Sequence, residues 1–309
     1  MNTGAMILAA GNITNERGVT PLTHIGSVSM VERIYQTLRT AHLDQVVLIT
    51  GYNGKQLEAA LKDRNIVFLR NPNYMTTDML ASIKIGLRYF GNTMDRILIA
   101  PVDVPLFTGN TVKALFADPS ADVTIPVFQK KQGHPVCIAN SAVQPLLHYQ
   151  EGRFDQALLS SNFRIHYINL DDPGILADLG SCDADADWVA QHSHHLLRPE
   201  VQVKLVKERD FFDPLSASLL QQIKNTGSVR RACARLNISY SRGWSILQTA
   251  EKQLGFQLTH RVQGGSGGGS AVLTSEGEEF LYRYQKFQRE MEASAEQIFV
   301  RWFADYMVP

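Results

Sequence analysis

At 309 residues the chain is long enough for about two domains, since single cores stop growing at roughly 250 residues. Its composition, 44% hydrophobic and 19% charged with formal net charge +0, is that of an ordinary globular protein. No apolar run approaches the roughly 20 residues that span a bilayer, which excludes a membrane partner. No basic region and cleavage site surround "AMILAAG", and the odd, scattered cysteines Cys137, Cys182 and Cys233 lack metal-ligand spacing. A cytoplasmic protein without disulfide or zinc is expected.

In chain order, short apolar runs alternate with amphipathic segments. "AMILAA" (5–10), "QVVLIT" (45–50), "IVFLR" (66–70), "RILIAPV" (96–102), "DVTIPV" (122–127) and "RIHYINL" (164–170) are too short for helices and read as buried strands. Between them, 29–41, 54–63, 78–90, 108–117, 140–149 and 153–161 carry apolar residues at three- and four-residue spacing. An α/β sandwich with a mostly parallel sheet follows, and its ligands should sit at the carboxyl ends of the strands. The first such end is Leu8-Ala9-Ala10-Gly11, where small residues let backbone N–H groups approach a phosphate or a base; an ordinary tight turn would look the same.

Four further stretches follow in order: "NPNYMTTDMLASIKIGL" (71–87), "PVDVPLF" (101–107), "GHPV" (133–136) and "DADADW" (183–188). As a set, over most of residues 4–195, they resemble the nucleotidyltransferases related to the molybdenum-cofactor guanylyl- and cytidylyltransferases. That resemblance implies attack of a substrate phosphate on the α-phosphorus of CTP or GTP. Such chemistry needs a hard cation, Mg2+, held by carboxylates, and positive side chains to offset charge on the leaving pyrophosphate. By the resemblance Asp103 is the Mg2+-binding aspartate, and Ser82 joins Leu8, Ala9, Ala10 and Gly11 in framing the nucleotide. Asp183 matches the second metal carboxylate, with Asp187 closing the motif, while Asp178 and Asp185 compete for the role. His134 is either structural or catalytic. The chain departs from the family in the loop "NITNERGVTPL", where Thr20 stands at the place of a triphosphate-binding lysine. Arg17 can take the role of the family's loop arginine if the loop shifts register, but threonine cannot replace an ammonium. Loss of such a contact costs about 3 kcal/mol at the transition state, so binding should outlast turnover.

Near residue 198 the pattern changes to a charged, mostly extended connector, 198–213, that could also form an edge strand. "PLSASLLQQIKNTG" is an amphipathic helix with a glycine stop, "SVRRACARLN" opens on an N-capping serine, and "SYSRGWSILQTAEKQLG" on another. Two helices joined by a tight turn, the second longer, make a helix-turn-helix, whose second helix enters the DNA major groove. The strands "QLTHRV" and "SAVLT" flank the glycine run 264–270 as the wing of a hairpin. Between Lys224 and Arg261 the chain has seven basic residues against Glu251 alone, a segment suited to a polyanion.

From "GSVRRACARLNISYSRGWSILQTAEKQLG" through "RVQGGSGGGSAVLTSEGEEFL" this part resembles the DNA-binding domain of the molybdate-responsive transcriptional regulators, themselves related to LysR-type winged helices. A synthetic tether would not be followed by "AVLTSEGEEFL". The resemblance implies double-stranded DNA as partner. Ser239, Tyr240, Ser241 and Arg242 would open the recognition helix, Arg230 and Arg231 would face phosphate or merely solvent, and Arg261 and Gly267 would belong to the wing. Trp244 and Leu247 fall on the core-facing side. A long helix over 275–305 carries Phe280, Tyr284, Phe287, Met291, Ala295, Ile298 and Phe299 near one stripe, which the resemblance makes a homodimer seam. The sequence ends at Pro309, so the regulators' molybdate-binding domain is expected to be absent and the first domain to be the sensor of nucleotide or molybdopterin. The expected organisation is α/β: a Rossmann-like nucleotidyltransferase sandwich over 1–197, then the connector, then a winged helix-turn-helix with its dimerisation helix over 214–309.

Overall fold

The computed structural model describes residues 1–11, 18–43, 45–62, 64–150, 152–179, 186–262 and 270–306. The chain divides into two compact units, one holding Met1–Lys62 and Ile66–Leu197, the other Arg198–Tyr306.

The first unit runs β1 (Thr3–Ala9), β2 (His24–Ile25), β3 (Val28–Ser29), α1 (Met30–Thr40), β4 (Gln45–Thr50), α2 (Gly54–Ala60), β5 (Ile66–Arg70), α3 (Met79–Phe90), β6 (Arg96–Pro101) and α4 (Gly109–Leu115). It continues with β7 (Val123–Phe128), β8 (Lys131–Gln132), β9 (Val136–Ala139), α5 (Asn140–His148), α6 (Phe154–Ser160), β10 (Ile165–Asn169) and α7 (Ala186–His194). The main sheet has the order β10-β7-β9-β6-β1-β4-β5, with β8 paired to β7. Strands β1, β4 and β6 are buried on both faces, which is why they read as unbroken apolar runs.

Alternation divides the core. Met6, Leu8, Val47, Ile49, Ile97 and Ile99 face Leu80, Ile83 and Leu87 of α3 and Val143 and Leu146 of α5. Ala5, Ile7, Val46, Leu48 and Leu98 face Val31, Ile34 and Leu38 of α1, Leu57 of α2 and Val112 of α4. The helix starts are set by side chains: Ser29, Asp78 and Thr108 accept from the backbone N–H groups of Glu32, Ala81 and Thr111.

The sheet is mixed. Strand β9, absent from the sequence expectation, lies antiparallel between β6 and β7. Its four residues, Val-Cys-Ile-Ala, are too few to stand out beside the Gly-His-Pro that precedes them. Where β7 turns into β8, Gln129 and Lys130 adopt φ of 48° and 67°, the left-handed pair that a two-residue hairpin turn requires.

In the second unit, β11 (Leu205–Val206) and β12 (Asp210–Phe212) form an antiparallel ribbon, followed by α8 (Pro214–Thr226), α9 (Val229–Arg235), α10 (Tyr240–Leu254), β13 (Thr259–Val262), β14 (Ser270–Leu273) and α11 (Ser275–Phe303). The stretch expected as a connector thus packs as part of this unit. Val203 and Phe212 are buried with Leu219, Leu220, Ile223, Leu247 and Leu281, and Phe212 meets Tyr284 edge to face at 4.8 Å. Asp213, Ser228, Ser239 and Thr274 cap α8, α9, α10 and α11, while Gly227 and Gly255, at φ +62° and +84°, end α8 and α10. Strands β13 and β14 pair antiparallel as the expected hairpin; its tip, residues 263–269, lies outside the described residues. Among the described residues no helix is long and apolar enough to cross a membrane.

Candidate functional site

In the first unit the chain lays β4 and then β5 on one side of β1, and β6 on the other. The crevice at this reversal opens at the carboxyl ends of β1 and β6. Leu8 and Pro101 are in register there, and Val102 N–H donates to Leu8 O at 3.1 Å. The turn Ala10–Gly11 and the loop carrying Asp103 therefore lie side by side. Leu8, Ala9 and Ala10 are buried and Gly11 is exposed, with no neighbour among the described residues within reach of a Cβ. On the other flank Gly51 touches β1 directly, since a Cβ there would lie 2.4 Å from Ala10 O.

Asp103 is exposed just past the carboxyl end of β6. Its carboxyl is raised from the ordinary carboxylate value, first by desolvation and then by the charge of Asp178. Backbone contacts bring Asp178 there: Leu179 N–H donates to Asp103 O at 2.8 Å and His134 N–H to Ile175 O at 2.9 Å. Two glycines allow that approach, because a Cβ on Gly133 would lie 2.5 Å from Ile175 O, and one on Gly174 would overlap Leu106 O at 1.8 Å. Among the described residues, Asp178 is the open carboxylate whose charge reaches Asp103. Asp183, Asp185 and Arg17 lie outside the described residues; Asp187 starts α7. The His134 imidazole is held neutral by burial, which outweighs the charge of Asp178, and its Nδ1 is buried without a partner among the described residues.

Ser82 is neither a surface nor a capping residue. It is 5% exposed within α3, whose cap is Asp78, and its Oγ accepts from Asn71 Nδ2 at 3.1 Å. Thr20, at the place of the missing lysine, is engaged in a closed turn: its N–H donates to Thr23 Oγ1 at 2.8 Å and its Oγ1 accepts from Leu22 N–H at 3.2 Å. It offers structure there and no charge. Sequence reasoning missed Asn71, whose signal was the strand-ending "NP" before a helix.

In the second unit, Ser239 caps α10 and its Oγ lies 3.1 Å from Ser241 Oγ. Tyr240 projects from the first turn, 45% exposed, with Trp244 edge-on at 6.1 Å and the Arg230 guanidinium 5.5 Å from its ring centroid. Arg231 is exposed and donates from Nη2 to Thr226 O at 2.5 Å, while Arg235 donates to Gln222 Oε1 at 3.4 Å. Arg242 is exposed on the same turn as Tyr240. As expected, Leu247 is buried and Trp244 packs against the core. A Cβ on Gly243 would lie 2.3 Å from Cys233 Sγ, so α9 and α10 touch at their crossing. Arg261 lies in β13 opposite Ala271; its side chain, like Gly267, is outside what is described.

A model of the MobA-like NTP transferase domain matches residues 5–165, more than half of the chain. The chain belongs to this family. Behind the MobA-like domain, a model of the bacterial regulatory helix-turn-helix proteins of the lysR family matches residues 217–278. The transcriptional regulator ModE of Yersinia pestis is 35% identical over 79 residues, which are 26% of this chain and 30% of that protein. The bifunctional protein GlmU of a Synechococcus strain is 31% identical over 111 residues, 35% of this chain and 18% of that one. The chain therefore spans less than a third of either relative. Among solved structures, a nucleotidyl transferase from Methanothermobacter shares the fold of the MobA-like domain, with a TM-score of 0.51 at 21% identity over 63% of this chain and 97% of that one.

Proposed function

We propose that the protein is a DNA-binding transcriptional regulator linked to the molybdenum cofactor, whose MobA-like domain binds a nucleotide or a molybdopterin-type ligand as its sensor. The observation that carries this reading is the pairing of a preserved cradle with a spent catalytic loop. Gly11 stands exposed beside the loop carrying Asp103, while Thr20 fills the lysine position with a self-bonded turn. The donor chemistry of Asp103 and Asp178 suits a hard cation, because the Asp103 carboxyl is desolvated and faces the charge of Asp178, and a cation would offset both. These two would hold Mg2+, which when bound supplies charge that bridges phosphate oxygens of CTP or GTP. The chain's own residues then place the triphosphate against the β1 turn, and without the ammonium they stabilise little charge on a leaving pyrophosphate.

The second unit supports the DNA half. Ser239, Tyr240, Ser241 and Arg242 stand exposed at the start of α10, where a recognition helix meets base edges. Arg230 and Arg231 flank it. Arg230 rests on the Tyr240 ring, so it orients that side chain besides offering charge to phosphate. The stripe on α11 is buried only near its start, at Tyr284; Phe287, Met291 and Ile298 are 44%, 41% and 53% exposed. A second copy of the chain would cover them, giving a homodimer on a pseudo-palindromic site.

The test is a titration of the full chain, first with MgCTP and MgGTP by calorimetry, then on a duplex selected from random sequence, with and without each nucleotide or molybdopterin. Binding heat together with a shift of at least severalfold in DNA affinity is expected, since coupling requires unequal ligand affinity for two states. Unchanged DNA affinity under every ligand would remove the sensor. A second reading, an active Mg2+-dependent molybdopterin cytidylyl- or guanylyltransferase that also regulates transcription, is favoured by Asp103. It requires pyrophosphate release with molybdopterin that Asp103→Asn abolishes.

A further inference from the structure

Asn71, the residue after β5, is a buried amide with three side-chain hydrogen bonds. Its Oδ1 accepts from Asn73 N–H at 3.0 Å, and its Nδ2 donates to Thr77 Oγ1 at 3.0 Å and to Ser82 Oγ at 3.1 Å. The orientation of the amide is not arbitrary. A backbone N–H can only donate, so the atom it meets must be the oxygen, and the NH2 must face both hydroxyls. Both hydroxyl oxygens therefore accept. Thr77 sends its own proton to Asn73 O at 2.9 Å. Ser82 has none of its own bonds satisfied as donor: among the described residues its hydroxyl proton meets no acceptor, although the side chain is 5% exposed.

The place of that proton matters. A Cβ on Gly86 would lie 2.8 Å from Met6 Cε, so α3 crosses β1 at this point. Ser82 is one turn nearer the helix N-terminus, roughly 6 Å further along at 1.5 Å per residue, which carries it to the Leu8–Ala10 end of the strand. A buried hydroxyl with an uncommitted proton there calls for an acceptor supplied by a ligand.

We propose that Asn71 is a positioning residue that holds Ser82 as a hydrogen-bond donor toward an acceptor atom on the base of the bound nucleotide. The inference rests on the nucleotide-binding reading above. Asn71→Asp tests it with nearly the same shape. A carboxylate keeps the bond from Asn73 N–H but must accept from Ser82, which turns the serine proton away from the ligand. Asn71→Ala, which simply deletes the amide, serves as the second variant.

The experiment is calorimetry on the full chain with MgGTP and MgCTP for wild type, Asn71→Asp, Asn71→Ala, Ser82→Ala and the two double variants, with thermal melts to establish folding. Ser82→Ala and Asn71→Asp are each expected to weaken the tighter-binding triphosphate by about three- to tenfold, the range of one neutral hydrogen bond. In the Ser82→Ala background neither Asn71 variant should weaken it further, because the amide acts through that hydroxyl. Losses that multiply in the double variants would mean that Asn71 merely supports the turn, and would overturn the inference. So would folded Asn71 variants that bind like wild type. Absence of nucleotide binding by the wild type would instead bring down the nucleotide-binding reading itself, and this inference with it.

Discussion

The imidazole of His192 has no freedom of tautomer. Its Nε2 lies 2.9 Å from Phe107 O, which can only accept, and its Nδ1 lies 3.1 Å from Arg33 Nη1, which can only donate. A neutral ring satisfies both; a protonated one would point N–H at a guanidinium. Burial first, and the Arg33 charge as a later contribution, push the group down to about 4. A base with a depressed native value is protonated more readily in the unfolded chain, so its contribution is complete above about 6.5 and is lost as pH falls toward 4. His192→Gln, read by thermal melts across that window, should flatten the acid slope of stability, by up to about 3 kcal/mol at full ionisation. At the crevice, Asp178→Asn should lower the Asp103 carboxyl toward the ordinary value. Side-chain NMR titration checks it, and an unmoved Asp103 would separate the two carboxylates. Neither pairing was legible in sequence: 159 residues separate Arg33 from His192, and Asp178 was one of several acids whose place is set by backbone contacts of Gly133 and Gly174.

At the scale of elements, the crossing of α9 and α10 has room for hydrogen and nothing larger. Gly243→Ala would drive a methyl into Cys233 Sγ, 2.3 Å away, and should destabilise the second unit by about 1–3 kcal/mol. Denaturant unfolding measures this, and a Cys233→Ala background should recover part of the loss. Helix α11 poses the opposite case, a surface with too little against it. Ile298→Glu costs little within one chain, where the residue is 53% exposed, but should convert a dimer to a monomer in analytical ultracentrifugation. Elements with strong periodicity or capping chemistry were readable in the sequence: the strands with unbroken apolar runs, the serine-capped α9 and α10, the glycine stops after α8 and α10. What escaped was β9, at four residues too short to show a period; the ribbon β11–β12 lies in the stretch read as a connector or edge strand, whose charged surroundings concealed the burial of Phe212. The amphipathic stripe of α11 was legible as a pattern, yet pattern alone does not say where the chain itself stops covering it.

At the scale of the whole molecule, each unit has its own apolar core, and the family match with the MobA-like domain covers only the first. The alternation of short apolar strands with amphipathic helices was enough to place the fold of that unit, because each buried strand must be covered by a helix on either face. Carriage of both units by one polypeptide sets their stoichiometry at one to one in every cell, whatever the level of expression. A regulator whose ligand-binding partner is a separate protein answers partly to the ratio in which the two are synthesised. On the function proposed above that source of noise would be removed, and a paired assembly on a promoter would bring two ligand pockets with it, so the steepness of its response would depend on how unequally those pockets fill.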